Sequence, residues 1–585
     1  MKVKDRIPTR GRTGGSRGSG SDGKTSRPAA ASGRETIVSV WMLAREYGRL
    51  AGAGGVKDVV AQLSKALARW NGRKIRVVLP CYGFIDPPAD GFQVLVDPQQ
   101  PDRLLEFDVA MNYVGREREE RVRVWYRVMD KVTLYLLEAE RFLEKSGVYT
   151  YTRQEHQRES WKTQGTGHFD FFAMNVLLQK AALDLMILLD ERPQIIHCHD
   201  GHTAIAPALM RECPGYRHYF RNSAAVVTIH NAGVGYHQEV SDLAFVQSIT
   251  GLPMRVILAS CLEHSFDPFI AAGGYASIST VSDNYARELQ GSDSDYLTGW
   301  LGHRLRDRGV TITGITNGID PADFDPRHPD GTGIAAGYDP ADEEDDLAGK
   351  RICKQALLQE IASPPDSADE QRFGFIDGGT DLPLFTFIGR LSDQKGIDIL
   401  IAAVQMLLAA DRPARFICLG SGGKREEDDL ARIARLERYA GRICFLRGYD
   451  PKLANRIYAA GDFFVIPSRY EPCGLTDYIA QLFGNLPVVH HVGGLVKVID
   501  GETGFAYREN TPEQCAEAMQ RALAAFGDRR LLRRLQKQAV DRIYRHHTWS
   551  EVMKSYLHLY RESRTRIMER AFCKTEIFVQ NQGMR

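Results

Sequence analysis

Short apolar segments alternate with amphipathic segments along the chain from residue 36 onward. Residues 36–42 have the apolar run of a buried strand, residues 58–70 place Val60 and Leu63 on one face of a helix, and residues 74–79 predict a second strand. This order predicts a β–α–β unit. Further buried strands are predicted at residues 195–199, 224–229, 278–281, 385–389, 415–419, 463–466 and 486–490. Such alternation is typical of α/β folds with parallel, doubly wound sheets.

The hydrophobic pattern is interrupted near the middle of the chain. Residues 320–348 are rich in Pro, Gly and Asp and include an acidic run at residues 342–346, which predicts a linker and an exposed loop. We therefore expect two α/β domains, at residues 35–316 and 317–546. Two α/β lobes of similar size imply a cleft, where the carboxyl ends of both sheets reach one ligand.

Composition narrows the class of protein. The chain has 585 residues, 43% hydrophobic and 25% charged, which is the range of ordinary globular domains. A net charge of +1 argues against a nucleic-acid partner, and the sequence contains no apolar run of the roughly 18 residues that a membrane helix needs. The ten cysteines include no CxxC pair, so reduced thiols in a cytoplasmic protein are expected.

The first 34 residues differ from the rest. They carry nine basic and two acidic side chains, a net charge of +7, with almost no large apolar residues, so a disordered basic tail is expected. A solvated extension is the favoured interpretation. Because the tail is also rich in Ser and Arg and poor in acids, the alternative is a transit peptide that would place the protein in a plastid.

Polar residues follow the predicted strands of the first domain. A glycine-rich turn containing Gly54 and Gly55 joins the first strand and helix, where backbone N–H groups can approach an anion. Residues 197–202 (HCHDGH) resemble a dinuclear metal motif, but Asp200 stands one position too early, so no metal site is predicted. We expect instead that the strand ends deliver Asp200, and His230 after the following strand, into the cleft.

The second domain carries charged residues in equivalent places. Arg390 and Lys395 follow a buried strand, and two cations on one turn suit a diphosphate. Glu471 and the glycine-containing turn after it open a predicted helix, where a carboxylate can bind sugar hydroxyls and the helix N-terminus can receive phosphate.

These motifs together resemble the bacterial and plant glycogen and starch synthases, the family 5 retaining glycosyltransferases. The resemblance covers residues 36 to about 566 and rests on GAGGVKDVV, HCHDGHTAIAPAL, TIHNAG, STVSDNYAREL, ITNGID, GRLSDQKGID, RYEPCGLT, VGGL and TGF in the family's order. It implies a GT-B fold of two Rossmann-like domains, with an α-glucan acceptor on the first domain and ADP-glucose or UDP-glucose mainly on the second. It also implies that residues 547–566 form a terminal helix returning to the first domain, leaving residues 567–585 as a tail.

The resemblance also implies roles for individual residues. It implies that Glu471, His230 and Asp200 are the catalytic-centre residues and that no metal or other cofactor is needed. It implies a donor site made by Gly54, Gly55, Asn317, Arg390, Lys395, Tyr449, Cys473, Gly474, Leu475 and Thr476. The oligomeric state is left open by the sequence.

Three positions depart from the family pattern. Gly52 stands where the synthases have lysine, Val56 where they have leucine, and Lys497 where they have aspartate. One hypothesis is that Lys497 is a compensating cation for the donor. The alternatives are a family 4 type glycosyltransferase, which would carry a second glutamate where this chain has Ile479, and a catalytically silent glucan-binding homologue.

Overall fold

The computed structural model describes residues 36–70, 72–365 and 371–582, with side chains placed as far as residue 569. The predicted tail of residues 1–34 lies outside these residues. Within the described part, two mostly parallel sheets each form the centre of a lobe. We call residues 37–316 together with the last helix the first lobe, and residues 317–547 the second lobe.

Fully buried strands place the first sheet at the centre of its lobe. In the strand Ser39–Leu43, residues 40–43 are all inaccessible to solvent, as expected for a strand with helices on both faces. The strands are β1 (Ser39–Leu43), β2 (Lys74–Pro80), β3 (Gln93–Val94), β4 (Val96–Asp97), β5 (Gln100–Leu104), β6 (Glu106–Ala110), β7 (Glu119–Met129), β8 (Val132–Glu138), β9 (Ile195–His199), β10 (Ala224–Ile229), β11 (Cys261–Leu262), β12 (Ser265–Phe266), β13 (Ser277–Thr280) and β14 (Ile312–Gly314).

The first sheet has the order β14-β13-β10-β9-β1-β2-β8-β7-β3, with β6 also paired to β7. Strands β14 to β8 in this order are parallel, and β7 pairs antiparallel to β8. The antiparallel extension at residues 93–129 was not predicted from the sequence. Its strands are short or carry exposed charged residues, so they lack the apolar runs that mark the central strands.

Helices cover both faces of the first sheet. They are α1 (Val56–Arg69), α2 (Glu140–Leu143), α3 (Arg153–Arg158), α4 (Phe171–Leu188), α5 (Ala206–Glu212), α6 (Pro214–Tyr219), α7 (Leu243–Thr250), α8 (Met254–Ala259), α9 (Pro268–Gly273), α10 (Asp283–Gly291) and α11 (Leu301–Asp307). By length and composition, α4 could cross a membrane, but 78% of it is buried inside the lobe. It is therefore a core helix, with Asn175 and Gln179 hydrogen-bonded inside.

The second lobe repeats the same construction. Its helices are α12 (Pro329–Thr332), α13 (Ala348–Glu360), α14 (Ile397–Ala409), α15 (Lys424–Ala434), α16 (Pro451–Ala460), α17 (Thr476–Leu482), α18 (Pro512–Gly527) and α19 (Arg529–Arg542). Its strands are β15 (Arg372–Ile376), β16 (Leu384–Ile388), β17 (Arg415–Gly420), β18 (Arg442–Arg447), β19 (Phe463–Ile466), β20 (Leu486–His490) and β21 (Phe505–Tyr507). The sheet order is β15-β18-β17-β16-β19-β20-β21, and only the edge strand β15 runs antiparallel.

The chain passes between the lobes twice, at neighbouring points. The Ile319 N–H donates to the carbonyl of His547 at 2.8 Å, and Ile319 forms a parallel bridge with Thr548. The last helix, α20 (Trp549–Gln582), then packs on the first lobe, where Met553, Tyr556 and Tyr560 are buried in its core. The helix continues well beyond residue 566, so the predicted tail from residue 567 is wrong. The reason is local: no Pro or Gly occurs between Tyr560 and Gln582, and glycine follows at 583.

Candidate active site

The carboxyl ends of β9 and β10 bring Asp200 and His230 together. The strands are parallel neighbours, and each residue directly follows its strand. The buried carboxylate of Asp200 accepts the backbone N–H of His230 at 2.7 Å. Asp200 has a φ of +61°, a left-handed backbone conformation that is uncommon for residues other than glycine. Burial raises the pKa of Asp200 to about 7, although the N–H groups of His230 and Asn231 oppose this rise.

Asp200 should make the stability of the first lobe pH-dependent. Because its folded-state pKa lies above the ordinary value of 3.8, folding takes up a proton between these limits. The contribution of this proton to the free energy of unfolding is fully present below about pH 4 and is lost as the pH rises through about 7. We expect urea unfolding at about pH 5.5 and about pH 8.5 to show wild type losing stability relative to Asp200→Asn. A wild-type advantage that grows with pH would contradict the protonation assigned to Asp200.

Three histidines lie side by side in the first sheet, beneath the cleft. His199 Nδ1 lies 2.9 Å from His230 Nε2, and the rings of His197 and His199 are 4.2 Å apart. His197 binds the hydroxyls of Tyr560 and Thr228 at 2.8 and 2.7 Å. Burial lowers the pKa of His230 and of His197 to about 3, and it also lowers the pKa of His199 well below its ordinary value. At neutral pH these imidazoles are uncharged, so they offer hydrogen bonds and no positive charge.

The glycine-rich turn binds an anion that belongs to the protein itself. The buried carboxylate of Glu46 accepts the N–H groups of Ala53 and Gly54 at 2.7 and 3.0 Å and the hydroxyl of Tyr149 at 2.6 Å. The N–H of Gly54, which the sequence analysis assigns to the donor site, is thus bound to Glu46 in this structure. Gly55 packs instead against the second lobe, since a Cβ there would lie 3.2 Å from the Leu475 side chain.

The space above Gly52 is filled by a different lysine. A Cβ at Gly52 would lie 2.2 Å from Cδ of Lys57, whose ammonium pairs with Asp58 at 2.7 Å. The stem of Lys57 thus covers the place from which the family lysine would project.

In the second lobe, Glu471 lies in a buried polar cluster. Lys395 Nζ lies 2.5 Å from Glu471 Oε2, and the same oxygen accepts the hydroxyl of Ser468 at 2.9 Å. Burial alone would raise the pKa of Glu471, but Lys395, the hydrogen bond from Ser468 and the charge of Lys497 outweigh it and lower the pKa. Glu471 is therefore a carboxylate, and Lys395 neutralises it.

The glycine pair of the VGGL motif supports the backbone around Glu471. The Gly494 N–H donates to the Glu471 carbonyl at 2.8 Å, and Gly493 has a φ of +52°. A Cβ at Gly493 would lie 2.1 Å from the Glu471 carbonyl oxygen, and one at Gly494 equally close to that of Cys473. Only glycine permits this approach. This explains why the EPCGLT and VGGL motifs accompany each other.

Lys497 lies beneath the same turn and faces away from solvent. Its ammonium donates to the carbonyls of Cys473, Gly474 and Gly494, and lies 3.1 Å from the buried carboxylate of Asp477. Burial raises the pKa of Asp477 to about 6, although Lys497 beside it acts to lower it. This arrangement does not favour the hypothesis that Lys497 is a compensating cation for the donor. Its charge is paired with Asp477, and its N–H groups bind carbonyls of the turn.

The remaining predicted donor residues lie on several segments of the second lobe. The guanidinium of Arg390 is exposed and donates to the Tyr236 hydroxyl of the first lobe at 3.1 Å. Tyr449 follows β18 and is 71% exposed. Asn317 is buried, and its backbone N–H lies beside the Cys473 thiol, whose pKa burial raises to about 11. Leu475 precedes α17, which begins at Thr476 without a side-chain cap.

Two contacts from α10 bring the first lobe onto residues 471–476, which begin with the predicted catalytic residue Glu471 and are called the catalytic turn below. The Ser282 hydroxyl donates to the carbonyl of Pro472 at 2.8 Å, and the Gly493 N–H donates to Glu288 at 2.9 Å. The sequence analysis missed these residues, together with Glu46, Ser468 and Tyr236. Ser282 and Glu288 lie in the STVSDNYAREL motif, which could have identified them as site residues. No sequence feature could have identified Glu46, because a single acidic residue near a strand end is common.

A surface cavity of about 1140 Å³ opens on the first lobe. Its lining includes the exposed rings of Trp161 and Phe169 and, deeper, Arg141, which pairs with Asp170 at 2.6 Å. Aromatic faces beside charged groups suit a ligand with both apolar and hydroxyl surfaces.

Two α/β lobes, with a buried carboxylate–lysine pair on the second lobe at its contact with the first, define a glycosyltransferase of the GT-B class. Residues 39–303 match the family model for the starch synthase catalytic domain, and residues 382–525 match that for glycosyl transferases group 1. A glycogen synthase from Anaeromyxobacter sp. (strain Fw109-5) is 33% identical, covering 90% of this chain and 99% of that protein. One from Thioalkalivibrio sulfidiphilus (strain HL-EbGR7) is 32% identical, with 87% and 96% covered. The chain belongs to the family of glycogen and starch synthases.

The fold agrees with a solved structure of the family. The catalytic domain of starch synthase IV from Arabidopsis thaliana, bound to ADP and acarbose, superposes with a TM-score of 0.72 at 24% identity. The match covers 91% of this chain and all of that one.

Proposed function

We propose that this synthase transfers glucose from ADP-glucose to the non-reducing end of an α-1,4-glucan, with retention of configuration. The observation that carries the proposal is the buried Lys395–Glu471 pair, held at 2.5 Å on the catalytic turn beside the first lobe. The ADP of the related starch synthase structure supports the choice of nucleotide. The exposed ring of Tyr449 offers a face on which an adenine base can stack.

The proposed chemistry needs charge stabilisation at two places. As the bond from the sugar to the diphosphate breaks, negative charge grows on the phosphate, and Lys395 and Arg390 are the cations available for it. Positive charge grows at the anomeric carbon, and the Glu471 carboxylate is the negative group of the turn. Because Lys395 neutralises Glu471 beforehand, a diphosphate can approach the turn without meeting an unpaired carboxylate.

His230 and Asp200 are proposed to act together on the sugar from the first lobe. His230 is uncharged, so its role is to hydrogen-bond the sugar. Asp200 holds the His230 backbone and is therefore a positioning residue. The α-glucan acceptor is proposed to lie on the first lobe, where Trp161 and Phe169 provide aromatic faces.

We further propose that transfer requires no metal. The two cations are protein side chains, and no group of three or more His, Cys, Asp or Glu suited to a metal ion occurs within residues 36–70, 72–365 and 371–582.

The test is transfer from radiolabelled ADP-glucose and UDP-glucose to a glycogen primer, with and without EDTA. We expect incorporation that survives the chelator, a higher kcat/KM with ADP-glucose, and release of the label by an enzyme specific for α-1,4 linkages. Loss of activity with EDTA that a divalent ion restores would contradict the metal-independent route. Preference for UDP-glucose would correct the donor alone.

A second candidate, a silent glucan-binding homologue, is favoured by the absent lysine at Gly52. Glycogen binding without transfer from either donor would establish it. The intact Lys395–Glu471 pair and the glycine support beneath it argue for the active synthase, because glucan binding alone does not require them.

A further inference from the structure

His199 is a buried histidine next to His230 for which the mechanism above has no use. It is 2% exposed and ends β9, directly before Asp200. Its Nδ1 lies 2.9 Å from His230 Nε2, with the two rings inclined by 27°. Its other nitrogen, Nε2, is buried and has no hydrogen-bond partner among the described residues.

These facts restrict where the protons lie. Two uncharged imidazoles carry one N–H each, and the contact between them uses one N–H and one lone pair. If His230 donated, the proton of His199 would have to lie on Nε2, a buried donor without an acceptor. If His199 donates, its Nε2 carries only a lone pair. In folded proteins, a buried N–H group without an acceptor is rarer than a buried lone pair without a donor. The second arrangement is therefore favoured.

The same choice fixes the other side of His230. When His230 Nε2 accepts from His199, the proton of His230 must lie on Nδ1. Within the described residues Nδ1 has no hydrogen-bond partner, whereas Nε2 is bound by His199 and the backbone N–H by Asp200. An imidazole in this state offers a donor to an oxygen of the sugar.

We propose that His199 is a positioning residue that holds His230 in the Nδ1–H form, so that His230 donates a hydrogen bond to the transferred sugar. The inference rests on the proposed function for the identity of the ligand, but the proton placement itself does not. Asp200 fixes the backbone of His230, and His199 fixes its ring and its tautomer.

Two variants of similar shape separate this role from simple packing. His199→Asn keeps an N–H donor one bond from Cγ, the position of Nδ1, whereas His199→Leu removes the donor and keeps an apolar group there. We expect His199→Leu to lower kcat about 10²-fold with little change in donor KM. The asparagine variant should retain most of the kcat. Thermal unfolding of both variants checks that the first lobe stays folded.

The tautomer can be read without any reaction. In long-range ¹H–¹⁵N spectra of protein carrying ¹⁵N-labelled histidine, with His230→Gln for assignment, we expect wild-type His230 to be protonated at Nδ1. Protonation at Nε2 would overturn the proposal, as would equal kcat for the asparagine and leucine variants. A wild type that shows the Nδ1–H form but transfers no glucose would refute the proposed function and leave the proton placement intact.

Discussion

Replacing Glu471 with alanine is expected to lower kcat about 10²- to 10³-fold, with a much smaller effect on the KM for the donor. The carboxylate is preorganised by Lys395 and Ser468, so its negative charge needs no rearrangement as positive charge grows at the sugar. Loss of the carboxylate should therefore raise the energy of the transition state much more than that of the bound substrate. Steady-state kinetics with varied donor at saturating glycogen measure both quantities.

Two further variants define what is being tested. Glu471→Gln keeps the shape and the hydrogen-bonding oxygen but removes the charge, so it should remain close to the alanine variant if charge is the essential property. Glu517→Ala removes an exposed carboxylate from α18 and should leave kcat unchanged. A Glu471→Gln enzyme with near-normal kcat would show that the charge of Glu471 is not used.

Lys497→Met is expected to destabilise the second lobe by about 3–5 kcal/mol, because it leaves the buried Asp477 carboxylate without its cation. The same change frees the carbonyls of Cys473 and Gly474, so the catalytic turn should also lose order. Urea unfolding followed by fluorescence measures the stability, and kcat measures how far the loss of order in the turn affects transfer.

The double variant Lys497→Met with Asp477→Leu is the matched control. Since a buried ion pair can often be replaced by apolar groups with little loss, the double variant should recover most of the stability lost in the single one. The competing hypothesis is that Lys497 holds the donor phosphates. It would be favoured if Lys497→Met raised the donor KM about ten- to a hundred-fold at unchanged stability.

The central strands were predictable because burial on both faces forces an apolar run. The predicted strands 195–199, 224–229, 463–466 and 486–490 have the observed bounds, and the others differ by at most a few residues. The ribbon at residues 93–129 was missed because its charged strands are exposed, so no such run is required. The order of the strands in each sheet was likewise not readable, since it depends on pairing between distant segments.

The site was predictable where a polar residue directly follows a predicted strand. Asp200 and His230 each directly follow a predicted parallel strand, so both could be expected at the carboxyl edge of the sheet. That their strands are neighbours is known from the structure alone. The direction of a long side chain could not be read in the same way. Lys497 turns inward because three carbonyls and Asp477 surround its ammonium, and Glu46 reaches the glycine loop across a turn. Both outcomes depend on partners that no sequence spacing specifies.

The position of α20 has a consequence for how the protein is made. Tyr560, near the end of the chain, donates or accepts the hydrogen bond that holds His197, while Tyr556 and Met553 fill the core behind β9 and β10. Domains usually fold as they emerge from the ribosome, the N-terminal one first. Here the first lobe cannot complete its core until the last helix has been synthesised. All of the second lobe is synthesised before α20, so it can complete its fold first. In a nascent chain arrested before α20, the core behind β9 and β10, which position Asp200 and His230, would be incomplete.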